Sequence, residues 1–167
     1  RLNCNSFKPL GTLFCLAKIC AGRNNNIDLV TLKKELTGKE PKTFVTAGDT
    51  TLARATAWAA RYFGQNTEVY LPDNTCKHEI KAIEEIGAKV YNIDGGFCSA
   101  IEAASEVVSD DKNKHLIQEH SWNGCDKPVR DLVEGYYTVF LEIGQQIRNQ
   151  ELPCPDVVLI QSGSGLL

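Results

Sequence analysis

The chain has 167 residues, with 18 basic and 21 acidic side chains interspersed and a formal net charge of −3. That balance leaves no basic stripe to hold a phosphate backbone, so nucleic acid is not an expected partner. No apolar run reaches the ~20 residues a membrane-spanning helix needs. Seven cysteines without a Cys-x-x-Cys pair point to reduced thiols in the cytoplasm, and three histidines (His78, His115, His120) without zinc spacing point to no metal site.

The chain opens on Arg1 rather than a methionine and closes inside a glycine-rich turn, Gly163-Ser164-Gly165-Leu166-Leu167, so it reads as a segment of a longer polypeptide. Ser6 is placed to cap a helix whose apolar face is Leu10, Leu13, Phe14, Ala17 and Ala21, ending near Gly22, with Pro9 tolerated in its first turn. Lys8 then falls at the helix amino terminus, where the positive end of the macrodipole disfavours an ammonium ion. A lysine with a lowered pKa is the better amine nucleophile toward an aldehyde, which is what Schiff-base chemistry requires. A solvated surface lysine is the plainer reading of Ser6-Phe7-Lys8 taken alone. Residues 23–42 are polar, with a short amphipathic piece over Leu29–Leu36 and Gly38 and Pro41 as breakers, and read as a connection.

From Thr43 the pattern becomes regular. A short β-branched and aromatic run stops at Gly48-Asp49, after which Leu52, Ala55, Trp58, Ala59 and Tyr62 recur at helical spacing, with Asp49 or Thr50 as the cap. A strand at 44–47, a helix to Phe63, a strand at 68–71, a helix at 75–86, a strand at 89–93, a helix at 97–108 and a strand at 115–118 follow in turn. Alternating β and α predicts a three-layer open parallel sheet with right-handed crossovers, and strand-turn-helix units of this kind build ligand sites at the carboxyl edge of the sheet.

A long helix starting at Asp126 with Pro128 in its first turn carries Val129, Leu132, Val133, Tyr136, Phe140, Ile143 and Ile147 at 3- and 4-residue steps, a stripe expected to be core. Residues 149–155 are a Pro-containing linker, and Val157-Val158-Leu159-Ile160 is predicted as a fully buried parallel strand. It runs into a Gly-x-Gly at Gly163 and Gly165, the context in which glycine-rich turns present backbone amides to a phosphate. On that turn alone a nucleotide-binding α/β module is an alternative.

Several motifs taken together carry a resemblance. They are Asn5-Ser6-Phe7-Lys8-x-Leu10-Gly11, the Thr46-Ala47-Gly48-Asp49 turn with Ala57-Trp58-Ala59-Ala60 after it, Tyr70-Leu71-Pro72, Gln118-Glu119-His120-Ser121-Trp122, Gly135-Tyr136 and Gln161-Ser162-Gly163-x-Gly165. In order and spacing over nearly the whole chain they resemble the diaminopropionate ammonia-lyases, among the tryptophan-synthase-β-like (fold type II) enzymes that use pyridoxal 5'-phosphate.

The resemblance implies that Lys8 forms the Schiff base with pyridoxal phosphate, that Gly163, Ser164 and Gly165 cup its phosphate, and that Asp49 and Glu119 flank the substrate carbon as bases. It implies a small amino-acid substrate, ammonia release and a full-length homodimer. Residues 1–42 would be a segment of the large domain carrying the lysine helix, 43–148 the small parallel α/β domain, and 149–167 the linker and strand returning to the large domain.

Two departures stand out. Where the family has Gly-Asn-His after the aspartate, with the asparagine lying against the cofactor ring and its phenolic oxygen, this chain has Thr50-Thr51-Leu52, which leaves Thr51 at the cofactor position. Glu119 replaces an aspartate and is longer by one methylene, enough to misplace a proton transfer. A non-catalytic relative that keeps the scaffold and cofactor binding is therefore the rival expectation.

Overall fold

The computed structural model describes residues 6–22, 28–121, 126–160, 163 and 165. Two helices precede the sheet, α1 (Lys8–Ala21) and α2 (Leu29–Leu36). There follow β1 (Thr43–Ala47), α3 (Thr50–Tyr62), β2 (Asn66–Pro72), α4 (Lys77–Glu84), β3 (Lys89–Ile93), α5 (Phe97–Asp110), β4 (Lys114–Leu116) and α6 (Asp126–Arg148). The strands form one four-stranded sheet in the order β3-β2-β1-β4, every pairing parallel. The α/β class and the alternation read from the sequence are those observed.

Side chains alternate across the strands, and this divides the core into layers. Phe44 packs with Ala59, Ala60 and Phe63 of α3 and with α1 and α6, and Val69 and Leu71 pack with Ala53, Ala57 and Ile83 on the same face. Val45, Ala47 and Tyr70 point the other way, onto Ala100, Ile101 and Ala104 of α5. Because α5 covers the opposite face, the chain leaves β3 at one edge and re-enters as β4 on the far side of β1. The strand order reverses between β1 and β4, the kind of crevice where open α/β sheets bind ligands.

The Ser6 hydroxyl accepts the Lys8 amide at 3.2 Å, but the residue that caps α1 is Phe7, one position later than expected, and it makes no side-chain cap bond. The body of α1 is fixed against α3 by the Thr12 hydroxyl, which donates to the Ala55 carbonyl at 3.2 Å.

Two further expectations are corrected. The Val157–Ile160 run is not a strand: it has no ladder partner among the described residues, and Val158 and Leu159 are 64% and 93% exposed. A run apolar on both faces needs neighbours on two edges and two layers, and the four strands of this sheet do not supply them. The α6 stripe is core only in its first half. Leu132 and Tyr136 are buried and Val133 between them is exposed, whereas Phe140 and Ile143 are exposed because they lie past the amino-terminal end of α1, which meets α6 at Tyr136.

Candidate functional site

Three segments meet at the carboxyl edge of β1 and β4. After β1 the chain turns at Gly48, whose φ of 78° suits glycine. The turn delivers Asp49, which caps α3: its Oδ1 accepts the amides of Thr51 at 2.7 Å and Leu52 at 2.9 Å. The Phe97 ring presses against Gly48, where a Cβ would sit 2.3 Å from its Cε2. After β4 the ladder continues through the Ile117 amide to the Val45 carbonyl at 2.7 Å and the Gln118 side-chain amide to the Ala47 carbonyl at 3.2 Å, which places Glu119 beside Asp49.

Lys8, the first residue of α1, reaches into the crevice between them. Its Nζ lies 2.9 Å from Asp49 Oδ2 and 3.0 Å from Glu119 Oε2. The lysine and glutamate side chains are 15% and 8% exposed, the aspartate 36%. On the other side of Glu119 the Tyr136 hydroxyl donates to Oε1 at 3.2 Å. Lys8, Asp49 and Glu119, separated by 41 and 111 residues, are thus one cluster.

The expected lowering of the Lys8 pKa is overturned. Burial pulls the ammonium down, as the helix terminus would, but hydrogen bonds and charge from Asp49 and Glu119 outweigh it and leave the pKa raised above 10.5. Two carboxylates at contact distance outweigh the half charge of a helix end. For Asp49, burial pushes the pKa up, and the Leu52 amide, Lys8 and the Thr51 amide bring it below 3.8. The amine rests as a shared ammonium and must pass a proton to a neighbour before it attacks a carbonyl.

The remaining named residues are not brought to this cluster. Thr51 is exposed on the first turn of α3, and Leu52 is buried at 1% exposure. Gly163 and Gly165 are exposed, and a Cβ built on either would meet nothing within 4 Å. Ser164, like Asn5, Trp122, Gln161 and Ser162, lies outside the described residues. Tyr136 was read from its spacing as ordinary core, and the only signal that set it apart was the Gly135-Tyr136 pair in the resemblance, to which no role was given. Among the described residues no group of three or more His, Cys, Asp or Glu is placed to hold a metal, and no helix is long and apolar enough to cross a membrane.

A parallel α/β sheet whose switch crevice holds a half-buried lysine between two carboxylates defines a class of protein suited to amine chemistry on a carbonyl-bearing cofactor. The sequence pattern of the pyridoxal-phosphate dependent enzymes matches residues 2–167, and the chain belongs to that family. The diaminopropionate ammonia-lyase of Escherichia coli is 28% identical over 171 aligned positions, which take in all of this chain and 42% of that enzyme. The one from Salmonella typhimurium is 27% identical over 99% of this chain and 42% of its own length. The crystal structure of the apo Escherichia coli enzyme superposes with a TM-score of 0.79 at 25% identity, covering 91% of this chain and 42% of that one. A pyridoxal 5'-phosphate-dependent aspartate racemase shares the fold alone, with a TM-score of 0.62 at 23% identity over 86% of this chain and 37% of its own.

The chain therefore spans about two-fifths of the length of the curated relatives it matches. Against the family's cofactor, the amine end of the site fits: a crevice lysine backed by proton acceptors. The glycines of the phosphate end stand in the exposed tail, away from packing that would shape a cradle.

Proposed function

We propose that this chain is part of a pyridoxal-phosphate-dependent carbon-nitrogen lyase acting on a small amino acid, with diaminopropionate as the substrate and pyruvate and ammonia as the products. The observation that carries the reading is the Lys8 ammonium held at 2.9 and 3.0 Å by two carboxylates from different loops. When bound, the cofactor would supply an electron sink for charge developing on the substrate carbon. The chain's own residues would do the rest. Lys8 would be the amine that holds the cofactor, handing its proton to Asp49 or Glu119. The two carboxylates, one from each side of the crevice, would take up and return a proton at the substrate carbon.

The cleft beside Asp49, lined by Gly48, Thr50, Pro72, Cys76, Glu79 and Phe97, would admit the substrate. Residues 1–42 and 149–167 would belong with a large domain and 43–148 with a small one, in a homodimer. We place the protein in the cytoplasm, in keeping with Cys20, Cys76, Cys98 and Cys154 as free thiols.

The test is to mix the full-length protein with pyridoxal phosphate, fix any Schiff base with borohydride and map the labelled peptide. Label on the Lys8 peptide, lost in Lys8→Met, supports the reading, and label elsewhere sinks it. The exposed Thr51 in place of an asparagine favours one rival, a relative that binds the cofactor without turning over. It would show label on Lys8 and no ammonia release.

A further inference from the structure

Tyr136 enters the crevice from α6, the element farthest along the chain, and its ring has little freedom there. It is 2% exposed, Phe7 meets it edge-on with ring centroids 5.2 Å apart, and it lies against Gly11, where a Cβ would come within 2.4 Å of its Cε1. A phenol has one proton to donate, and here it goes to Glu119 Oε1 at 3.2 Å while Oε2 faces Lys8 Nζ at 3.0 Å. Burial and then the Glu119 charge push the ionisation of Tyr136 far up, so the hydroxyl remains a donor across the physiological range.

Glu119 is also the acid that is one methylene longer than the resemblance expects. An extra methylene adds a rotatable bond, and a base swinging through an extra rotamer spends less time at the reacting atom. We propose that Tyr136 is a positioning residue for Glu119: the phenol holds Oε1, fixes the longer side chain in one rotamer and leaves Oε2 turned toward the lysine and the substrate carbon. This rests on Lys8 and Glu119 being the amine and a base of the site, as proposed above. It assigns to α6, otherwise a packing helix, the aim of the base.

Among the described residues, the titratable groups that face this pair include Lys8 and Cys15 from α1 and Asp49 from the β1–α3 turn. Loss of the hydroxyl should release Oε1 and let the Glu119 side chain sample more than one rotamer.

The experiment measures the side-chain order of Glu119 by carbon-13 relaxation of its labelled methylenes in the full chain without cofactor, comparing the parent with Tyr136→Phe. The expected result is a single ordered rotamer in the parent and averaging over more than one rotamer in Tyr136→Phe. Borohydride in the presence of pyridoxal phosphate should still label Lys8. In a Glu119→Asp background the shorter acid should no longer reach the phenol, and the same tyrosine change should leave its side-chain order unmoved. Unchanged order at Glu119 in the Tyr136→Phe protein overturns the proposal, whatever happens to thermal stability.

If Tyr136→Phe does not fold, 3-fluorotyrosine at position 136, a stronger donor of nearly the same volume, replaces it. There the order of Glu119 must rise, and order that stays put or falls overturns the proposal. Absence of label on Lys8 in the parent would count against the function proposed above, whereas the side-chain order of Glu119 alone decides the role of Tyr136.

Discussion

Gly11 of α1 and Gly135 of α6 touch where the two helices cross, so closely that a Cβ added to Gly135 would lie 2.7 Å from Gly11 Cα and 2.8 Å from the Leu10 carbonyl oxygen. Backbone on backbone leaves no side chain to give way. The crossing also sets the depth at which Tyr136, the next residue, reaches Glu119. Gly135→Ala should gain ~1 kcal/mol of helix propensity and lose more than that to overpacking, which typically costs about 1–3 kcal/mol and should fall at the upper end here. Gly144, on the same helix, would place its Cβ no nearer than 3.7 Å to the tip of Arg148, so Gly144→Ala should stabilise by about 0.5–1 kcal/mol. Urea unfolding of the pair decides it: equal effects of one sign would mean that the crossing is not tight.

Stability should report the shared ammonium through pH. The folded pKa of Asp49 is depressed, so its contribution is present above 3.8 and is lost as pH falls through a folded value below 3.8. The folded pKa of Lys8 is raised, so its contribution is present below 10.5 and is lost as pH climbs through a folded value above 10.5. Lys8→Met should cost about 2 kcal/mol at neutral pH, less than the 3–5 typical of a fully buried pair because Asp49 is a third exposed. The deficit should narrow below pH 3.8, as Asp49 becomes neutral, and above pH 10.5, as Lys8 in the parent loses its charge. Unfolding free energies measured across pH would contradict this if the gap between the two proteins stayed constant.

Parts of this site were legible in the sequence, and for different reasons. Asp49 was readable from local chemistry, because a glycine that permits a positive φ followed by a capping acid between a strand and a helix is a short-range signal. The high proton affinity of Lys8 was not readable, since the helix end is local while the two carboxylates that outweigh it come from 41 and 111 residues away. Tyr136 sat in a stripe of correct spacing, and periodicity sees the ring but not what the hydroxyl meets. The Val157–Ile160 run has strand composition, yet composition does not say whether strands are present to pair with it.

That run makes a further prediction. Val157 to Ile160, together with Tyr137, Phe140 and Leu141 on the outer face of α6, exposes apolar side chains of a kind that folded monomers usually cover. The 167-residue chain alone should bind a hydrophobic dye and self-associate as its concentration rises. Val158→Glu with Leu159→Glu should reduce both, with the unfolding midpoint of the sheet unchanged, since neither residue packs on it. Sedimentation of a concentration series checks this, and a dye-silent monomer in the unmodified chain would refute it.

The turn after Asp49 carries the last prediction. Thr51 is exposed on the first turn of α3 and contributes to Asp49 only through its backbone amide, at 2.7 Å. Thr51→Asn should therefore leave stability within about 0.5 kcal/mol, since an exposed site is exchanged between residues of similar helix propensity. It would restore the amide donor that the resemblance expects against the cofactor ring. Removing a positioned donor of that kind commonly costs a factor of about 100 or more in rate, so restoring it should raise turnover by roughly 10- to 100-fold.

Leu52 is best left in place. It is 1% exposed, and Leu52→His would bury an imidazole in apolar surroundings, confounding any gain with a loss of stability. The assay is pyruvate and ammonia release from each enantiomer of diaminopropionate by full-length protein, unmodified and Thr51→Asn, with borohydride labelling of Lys8 confirming equal cofactor loading. Rapid turnover by the unmodified protein would show that Thr51 suffices. Equal loading without a gain would shift the cause to the extra methylene of Glu119, and Glu119→Asp in the Thr51→Asn background would then be the variant in which the rate should rise.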